Sequence, residues 1–173
     1  VVCFQYKREA ETFLRRLGEV FGHFHLQLAE EKTSCLEFGR FARGDARKRG
    51  EKPREFTFLG FTFYCGKTRE GFFKVKRRTS RKKLNQSLAK FTEWARRSRN
   101  FLRKGEMLRR AKARVVGHLN YYAITDNGTM CSNFRYQATG ILFKWINRKS
   151  QRKAYRYRSD KWTHLCSLKL IHL

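Results

Sequence analysis

The chain has 173 residues, of which 40% are hydrophobic and 15% aromatic, and its formal net charge is +27. This composition predicts one ordinary domain or two small ones and excludes general disorder, while the charge predicts a polyanionic partner. With no run of about 18 apolar residues and no signal peptide, we expect nucleic acid as the partner rather than a membrane.

The positive charge is concentrated in the second part of the chain. Residues 1 to 60 hold 12 Lys and Arg against 9 Asp and Glu, whereas residues 61 to 173 hold 29 against 5. Between residues 72 and 114 there are 17 basic residues, and the acidic ones are Glu93 and Glu106. A solvated helix face ordinarily mixes both signs, so this segment indicates phosphate binding.

The first predicted helix is amphipathic and covers residues 5 to 28. Its apolar residues recur with the helical period, and they are Phe13, Leu14, Leu17, Val20, Phe21 and Phe24. A short strand is predicted over "KTSCLEFG", although its alternation is poor. Residues 40 to 54, "RFARGDARKRGEKPR", hold the single proline and two glycines, and predict a mobile basic loop.

Two strands follow, at about 55 to 64 and 72 to 77, joined by the turn "GKTREG". Side chains alternate between the two faces of a strand. Phe56 and Phe58 are at even positions and share one face of the first strand, whereas Phe61 and Phe63 are at odd positions, so the parity of the aromatic residues changes. This change of parity predicts a bulge or a sharp bend at Gly60, where the backbone can come close to another group.

The period then becomes helical, and three amphipathic helices predict a small bundle. Thr79 or Ser80 can cap the first helix, and the second runs from about Glu106 to "TDNGT". The apolar positions of the three helices are Leu84, Leu88, Phe91 and Ala95; Leu108, Ala111, Val115, Leu119 and Tyr122; and Phe134, Ala138, Ile141, Leu142 and Trp145.

The cysteines do not predict a metal site or a disulfide framework. There are five, none in a close pair, and they are Cys3, Cys35, Cys65, Cys131 and Cys166. We therefore expect buried apolar thiols, no metal ligands, and a reducing compartment.

Four segments in order carry a family resemblance: "LAEEKTSCLEFGRFA", "FTFLGFTF", "GHLNYYAITDN" and "WINRKSQRKAY". Together they resemble the C-terminal half of a group II intron reverse transcriptase, also called the intron-encoded maturase, over essentially the whole chain. The resemblance implies an α+β fold. Residues 1–77 would be the last part of the palm, with antiparallel strands, one helix and the primer-grip hairpin. Residues 78–160 would be the three-helix thumb or X domain, and residues 161–173 a C-terminal tail.

The resemblance also implies roles for individual residues. Lys32, in "EKT", matches the late palm lysine that lies near the incoming nucleotide and can protonate the pyrophosphate leaving group. The residues of "FLGF", Phe58, Leu59, Gly60 and Phe61, match the primer grip, which supports the 3′ end of the primer. The predicted nucleic-acid-binding residues are Lys74, Lys76, Arg77, Arg78, Arg81, Lys82, Lys83, Arg96, Arg97, Arg109, Arg110, Lys112, Arg114, Tyr121, Arg148, Lys149, Arg152 and Lys153.

One departure from the family bears on catalysis. No Tyr-x-Asp-Asp is present, and the aspartates Asp45, Asp126 and Asp160 are isolated from one another. Two-metal nucleotidyl transfer needs at least two converging carboxylates. The chain is therefore expected to be inactive alone, with Mg²⁺ belonging to the intact polymerase. The fingers and the first half of the palm would be supplied by a missing part or by another chain.

The expected partners are structured group II intron RNA and the template–primer duplex, in the bacterial cytoplasm or an organelle. RNA-directed DNA synthesis and intron splicing would be activities of the intact protein. The alternative function is a non-catalytic RNA-binding splicing factor that folds intron RNA. A basic DNA-binding module is disfavoured, because neither helix-turn-helix spacing nor a zinc motif is present.

Overall fold

A computed structural model describes residues 1–29, 31 and 33–148. The predicted site residues Lys32, Lys149, Arg152 and Lys153 lie outside this range, as does the predicted tail over 161–173. Within the described residues the chain is α+β, with a three-stranded antiparallel sheet and five helices. None of these helices is both long and apolar enough to cross a membrane.

The elements follow one another as α1 (Lys7–His23), α2 (Ala42–Lys48), β1 (Phe56–Phe58), β2 (Phe61–Lys67), β3 (Phe73–Thr79), α3 (Arg81–Ser98), α4 (Lys104–Tyr122) and α5 (Gly128–Asn147). The strand order in the sheet is β1-β2-β3. The chain forms two compact units. The first contains Val1–Glu55 and Tyr64–Val75, and the second contains Phe56–Phe63 and the described chain from Lys76 onward.

In the first unit, the predicted amphipathic helix is confirmed as α1, although it is shorter than the pattern suggested. None of its residues is buried. Phe13 contacts the ring of Phe4 at a centroid distance of 5.1 Å, while Val20 and Phe24 are exposed. The apolar face of α1 therefore remains largely open to solvent within this unit.

Two predictions for the first unit were wrong. Residues 33 to 38 contain no strand, because their apolar residues alternate too poorly to define one buried face. The predicted loop over 40–54 contains α2. Ala42 and Ala46 lie one turn apart on that helix and are both buried, so a single small apolar face is enough to hold it.

The predicted single strand over 55–64 is two strands joined by a tight turn. Leu59 and Gly60 have φ values of 48° and 83°, and Phe58 on one side pairs with Phe61 on the other. Positive φ at both central residues is the mark of a two-residue hairpin turn. Since directly paired residues share a face, the parity change reflects the reversal of the chain and not a bulge.

In the second unit, the predicted three-helix bundle is confirmed. Ser80 caps α3, its Oγ accepting a hydrogen bond from the backbone N–H of Lys83 at 3.3 Å. Helix α4 begins slightly earlier than predicted, and α5 begins six residues before Phe134. The buried core residues are Leu84, Leu88, Phe91, Ala95, Met107, Leu108, Ala111, Val115, Phe134, Ala138, Leu142 and Ile146.

Side-chain contacts fix the directions of the helices. Thr79, just before α3, is bonded to Asn127, just before α5. At the other end, the Arg99 guanidinium lies 5.0 Å from the centre of the Trp145 ring. Helices α3 and α5 therefore run in the same direction. Helix α4, which lies between them in the sequence, runs in the opposite direction.

His118 of α4 is half-buried among aromatic rings. Its imidazole stacks on Phe134 at a centroid distance of 3.6 Å and lies 4.5 Å from the ring of Tyr122. Burial lowers the pKa of His118 from 6.5 to about 4, so the imidazole is neutral in the folded protein at neutral pH.

This histidine predicts a loss of stability in acid. Between pH 6.5 and about 4 the unfolded chain binds a proton at His118 that the folded chain does not, so stability falls as pH falls. Allowing for partial exposure, we expect a loss of about 2 kcal/mol of unfolding free energy across this window. Urea unfolding at pH 7 and pH 4 should show a smaller difference in His118→Phe than in the wild type. An equal difference in both proteins would contradict the assignment.

Candidate nucleic-acid interface

The β1–β2 turn is docked on one end of the helix bundle by two hydrogen bonds. The backbone N–H of Ser80 donates to the carbonyl oxygen of Gly60 at 2.9 Å. The hydroxyl of Tyr121 donates to the carbonyl oxygen of Leu59, also at 2.9 Å. These bonds bring the predicted "FLGF" segment and the predicted binding residue Tyr121 together, beside the start of α3.

Aromatic rings extend along the hairpin to the bundle. The rings of Phe56 and Phe63 stack at 5.0 Å with an interplanar angle of 4°, and Phe61 stacks on Tyr121 at 5.8 Å and 21°. Phe58 is 43% exposed and Tyr121 is 53% exposed. Flat, partly exposed aromatic rings of this kind are the surfaces on which nucleic-acid bases stack.

Gly60 is required by packing within the second unit. A Cβ atom at this position would lie 2.9 Å from the hydroxyl oxygen of Tyr122. Tyr122 is buried, as its helical spacing predicted, and burial raises the pKa of its hydroxyl. In the described structure, the group that approaches the Gly60 backbone is therefore a tyrosine hydroxyl.

Gly60→Ala is expected to destabilise the second unit. The positive φ alone costs an alanine about 1 to 2 kcal/mol, and the contact with Tyr122 adds to that cost. Thermal unfolding should show the loss, and Tyr122→Phe provides the control because it removes the atom that would clash. We expect Gly60→Ala to cost less in the Tyr122→Phe background. The same cost in both backgrounds would show that the hydroxyl contact is unimportant.

Three exposed cations lie at the start of α3, and they are Arg81, Lys82 and Lys83. The first turn of this helix contains no acidic residue. The N-terminus of a helix carries a partial positive charge, so cations there are unfavourable unless an anion compensates them. We call Phe58–Phe61, Tyr121 and Arg81–Lys83 the hairpin-end cluster, and its chemistry suits a phosphate chain with a stacked base.

Most of the other predicted basic residues that the structure describes lie in the second unit. Lys76, Arg77 and Arg78 lie at the end of β3, close in sequence to the hairpin-end cluster, whereas Lys74 belongs to the first unit. Lys112 is half-buried on α4, and Arg114 lies 4.8 Å from the centre of the Trp94 ring. Within the second unit, the predicted residues therefore do not form a single site.

Four of the predicted arginines are paired with carboxylates. Glu93 accepts a bond from Arg97 at 2.6 Å and lies 4.0 Å from Arg96. Glu106 accepts bonds from Arg110 and Arg109 and these bonds hold the pKa of Glu106 below its usual value. Each carboxylate can neutralise one of its two partners, so each group retains a positive charge.

Asn127 is a structural residue that the sequence pattern did not reveal. It is fully buried, at 0% exposure. Its Oδ1 accepts from the backbone N–H of Thr79 at 2.8 Å. Its Nδ2 donates to the Thr79 hydroxyl at 2.8 Å and to the carbonyl oxygen of Tyr122 at 2.7 Å. Asn127 thus ties the end of β3 to the helix ends behind the hairpin-end cluster.

The described carboxylates do not fit the metal site of a polymerase. Asp45 pairs with Lys48 on α2, and Asp126 lies in the turn before α5. Over residues 1–29, 31 and 33–148, no three His, Cys, Asp or Glu side chains come together as metal ligands would.

The cysteines divide between surface and interior. Cys65 and Cys131 are buried as predicted, whereas Cys3 and Cys35 are exposed, and all four are free thiols. The prediction of buried thiols was thus wrong for the two in loops.

Comparison with known proteins adds no relative: no protein-family model, curated protein or solved structure matches this chain significantly.

Proposed function

We propose that this chain is the part of a group II intron reverse transcriptase or maturase that binds RNA and RNA–DNA duplex. Residues 1–77 would belong to the palm and the bundle from residue 78 to the thumb. The supporting observation is that the "FLGF" hairpin is docked beside Tyr121 and the three cations that begin α3. A primer grip needs this combination of a fixed turn, stacking surfaces and phosphate ligands.

The charge of the bundle supports the same proposal. Residues 76 to 148 contain 19 Lys and Arg against Glu93, Glu106 and Asp126. In the proposed complex, Arg81, Lys82 and Lys83 bind backbone phosphates, and the rings of Phe58 and Tyr121 support a terminal base or ribose. The catalytic carboxylates would come from a part of the enzyme that precedes this chain or from another chain.

The test compares three ligands of equal length: a folded group II intron domain, a plain RNA duplex and an RNA–DNA hybrid. Fluorescence anisotropy would give the affinity of each at about 50 and 200 mM salt. If 6 to 10 phosphates are contacted, affinity should fall roughly 10³- to 10⁵-fold over this range. Binding of the hybrid that is weak and independent of salt would contradict the proposal.

The same measurement separates the two candidate roles. Similar, steeply salt-dependent binding of all three ligands is expected of a thumb that clamps a duplex. A preference for the intron domain that persists at high salt would favour the splicing-factor function, in which the protein recognises a folded RNA. The second function is retained as a candidate because this sequence contains no Tyr-x-Asp-Asp segment, and a splicing factor that only binds RNA needs no catalytic carboxylates.

A further inference from the structure

Three cations converge on one indole at the end of the bundle opposite the hairpin. The guanidinium carbons of Arg99 and Arg148 lie 5.0 and 5.2 Å from the centre of the Trp145 ring. The ammonium of Lys144 lies 5.9 Å from the same point. We call these four residues the Trp145 cluster; its members come from the C-terminal ends of α3 and α5.

Helix ends explain only part of this arrangement. A cation at a helix C-terminus is favourable because it interacts with the helix dipole, which accounts for each charge taken singly. The indole face also attracts each cation, but neither effect removes the mutual repulsion of three like charges held around one ring. Among the described residues, no carboxylate forms an ion pair with Arg99, Lys144 or Arg148. The cluster thus carries a concentrated positive charge without a counter-ion from that part of the chain.

The cluster also contains two buried donors without an acceptor. The Nε of Arg99 and the Nε1 of Trp145 are both buried and form no hydrogen bond within the described structure. A buried N–H that lacks an acceptor destabilises the folded state, so native proteins ordinarily satisfy such groups. Both donors belong to the cluster itself, since Arg99 is one of its three cations and Trp145 is the ring that they face, so the cluster lacks an acceptor among the described residues.

We propose that the Trp145 cluster is a second phosphate-binding site, which takes a phosphodiester group of the nucleic acid that the chain binds. The proposal rests on the proposed function for the identity of the anion. Helix α3 has 18 residues and is therefore about 27 Å long, so this site and the hairpin-end cluster hold different phosphates. Arg99 and Arg148 provide the planar donors that bind phosphate oxygens in pairs, and Lys144 adds a point charge.

A direct test follows the indole N–H of Trp145 by NMR. The protein contains three tryptophans, and the cross-peak of Trp145 is identified by its disappearance in Trp145→Phe. Titration with inorganic phosphate, and separately with an RNA–DNA hybrid, should shift this cross-peak. The Trp94 cross-peak is the internal reference: its ring lies 4.8 Å from one cation, Arg114, so inorganic phosphate should shift it less than the Trp145 cross-peak. No shift of the Trp145 cross-peak with either ligand would overturn the site.

A second test measures hybrid binding by Arg99→Gln/Arg148→Gln as a function of salt. We expect roughly tenfold weaker binding and a slope of log affinity against log salt that is smaller by about 1 to 2. Arg8→Gln/Arg15→Gln on α1 removes the same net charge and should leave the slope unchanged. A thermal melt shows whether each variant is folded. A wild-type slope in the Arg99→Gln/Arg148→Gln variant would overturn the proposal.

The two tests distinguish failure of this site from failure of the proposed function. If the wild type binds the hybrid but the Trp145 cross-peak and the salt slope are unaffected, the second site is wrong and the function stands. If inorganic phosphate moves the cross-peak while the hybrid does not bind, the cluster holds a phosphate from another source. That result would overturn both its assignment to nucleic acid and the proposed function.

Discussion

Asn127→Ala is expected to lower the free energy of unfolding of the second unit by about 2 to 4 kcal/mol. The substitution removes the acceptor for the backbone N–H of Thr79 and the donor for the carbonyl oxygen of Tyr122. Both groups lie in a part of the protein from which water is excluded, since Thr79 is itself buried. Alanine can replace neither bond, so the penalty is that of unsatisfied buried polar groups.

Chemical denaturation with a probe on the bundle measures this loss, and Asn133→Ala is the matched control. Asn133 is on α5 and exposed, and its side chain accepts one bond from Gln137. Removing it should change the unfolding free energy by no more than about 0.5 kcal/mol. If the two alanine variants were equally stable, Asn127 would not tie β3 to the bundle as the structure indicates.

The second large effect is on binding. Neutralising the start of α3 by Arg81→Gln/Lys82→Gln/Lys83→Gln should weaken hybrid binding by roughly 10- to 100-fold at moderate salt. The salt slope should fall by about 2 to 3, because each lost phosphate contact contributes about 0.9. The same variant should be more stable than the wild type by about 1 kcal/mol, since cations at a helix N-terminus are unfavourable.

Weaker binding together with higher stability is what separates a binding role from a structural one. Glutamine is a good helix former, so α3 should persist, and the backbone bond from Lys83 to Ser80 is retained. Arg8→Gln/Arg15→Gln/Arg16→Gln on α1 removes the same charge and controls for long-range electrostatics. A variant that is destabilised and binds normally would show that these cations serve folding and not nucleic acid.

The bundle could be predicted from the sequence because its core residues recur with the period of a helix. The Ser80 cap and the burial of Tyr122 followed from the same pattern. The apolar pattern did not reveal the hairpin turn, since Leu59–Gly60 lacks the Asn-Gly or Asp-Gly signature of such turns, and only the family resemblance implied a hairpin at this segment. Leu59 holds an unusual left-handed conformation, and the bond that its carbonyl oxygen accepts from Tyr121 helps to stabilise it.

Contacts between residues distant in the chain were the other part that the sequence did not reveal. Asn127 and Thr79 are 48 positions apart, and Arg99 meets Trp145 only because α3 and α5 run in the same direction. No local periodicity encodes either contact. The sequence pattern placed Trp145 on the apolar face of α5 and did not reveal its contacts with cations. It identified "TDNGT" as a helix stop and did not reveal the hydrogen bonds of Asn127.

Photo-cross-linking of an RNA–DNA hybrid to the full chain tests the central claim most directly. A hybrid with a photoreactive pyrimidine at the 3′ end of the primer strand would be irradiated on the protein and the modified residues identified by mass spectrometry. The hairpin-end cluster predicts modification of Tyr121 and of the segment Phe58–Phe61. Modification confined to residues 1–55, with the hairpin and α4 unmodified, would contradict the account.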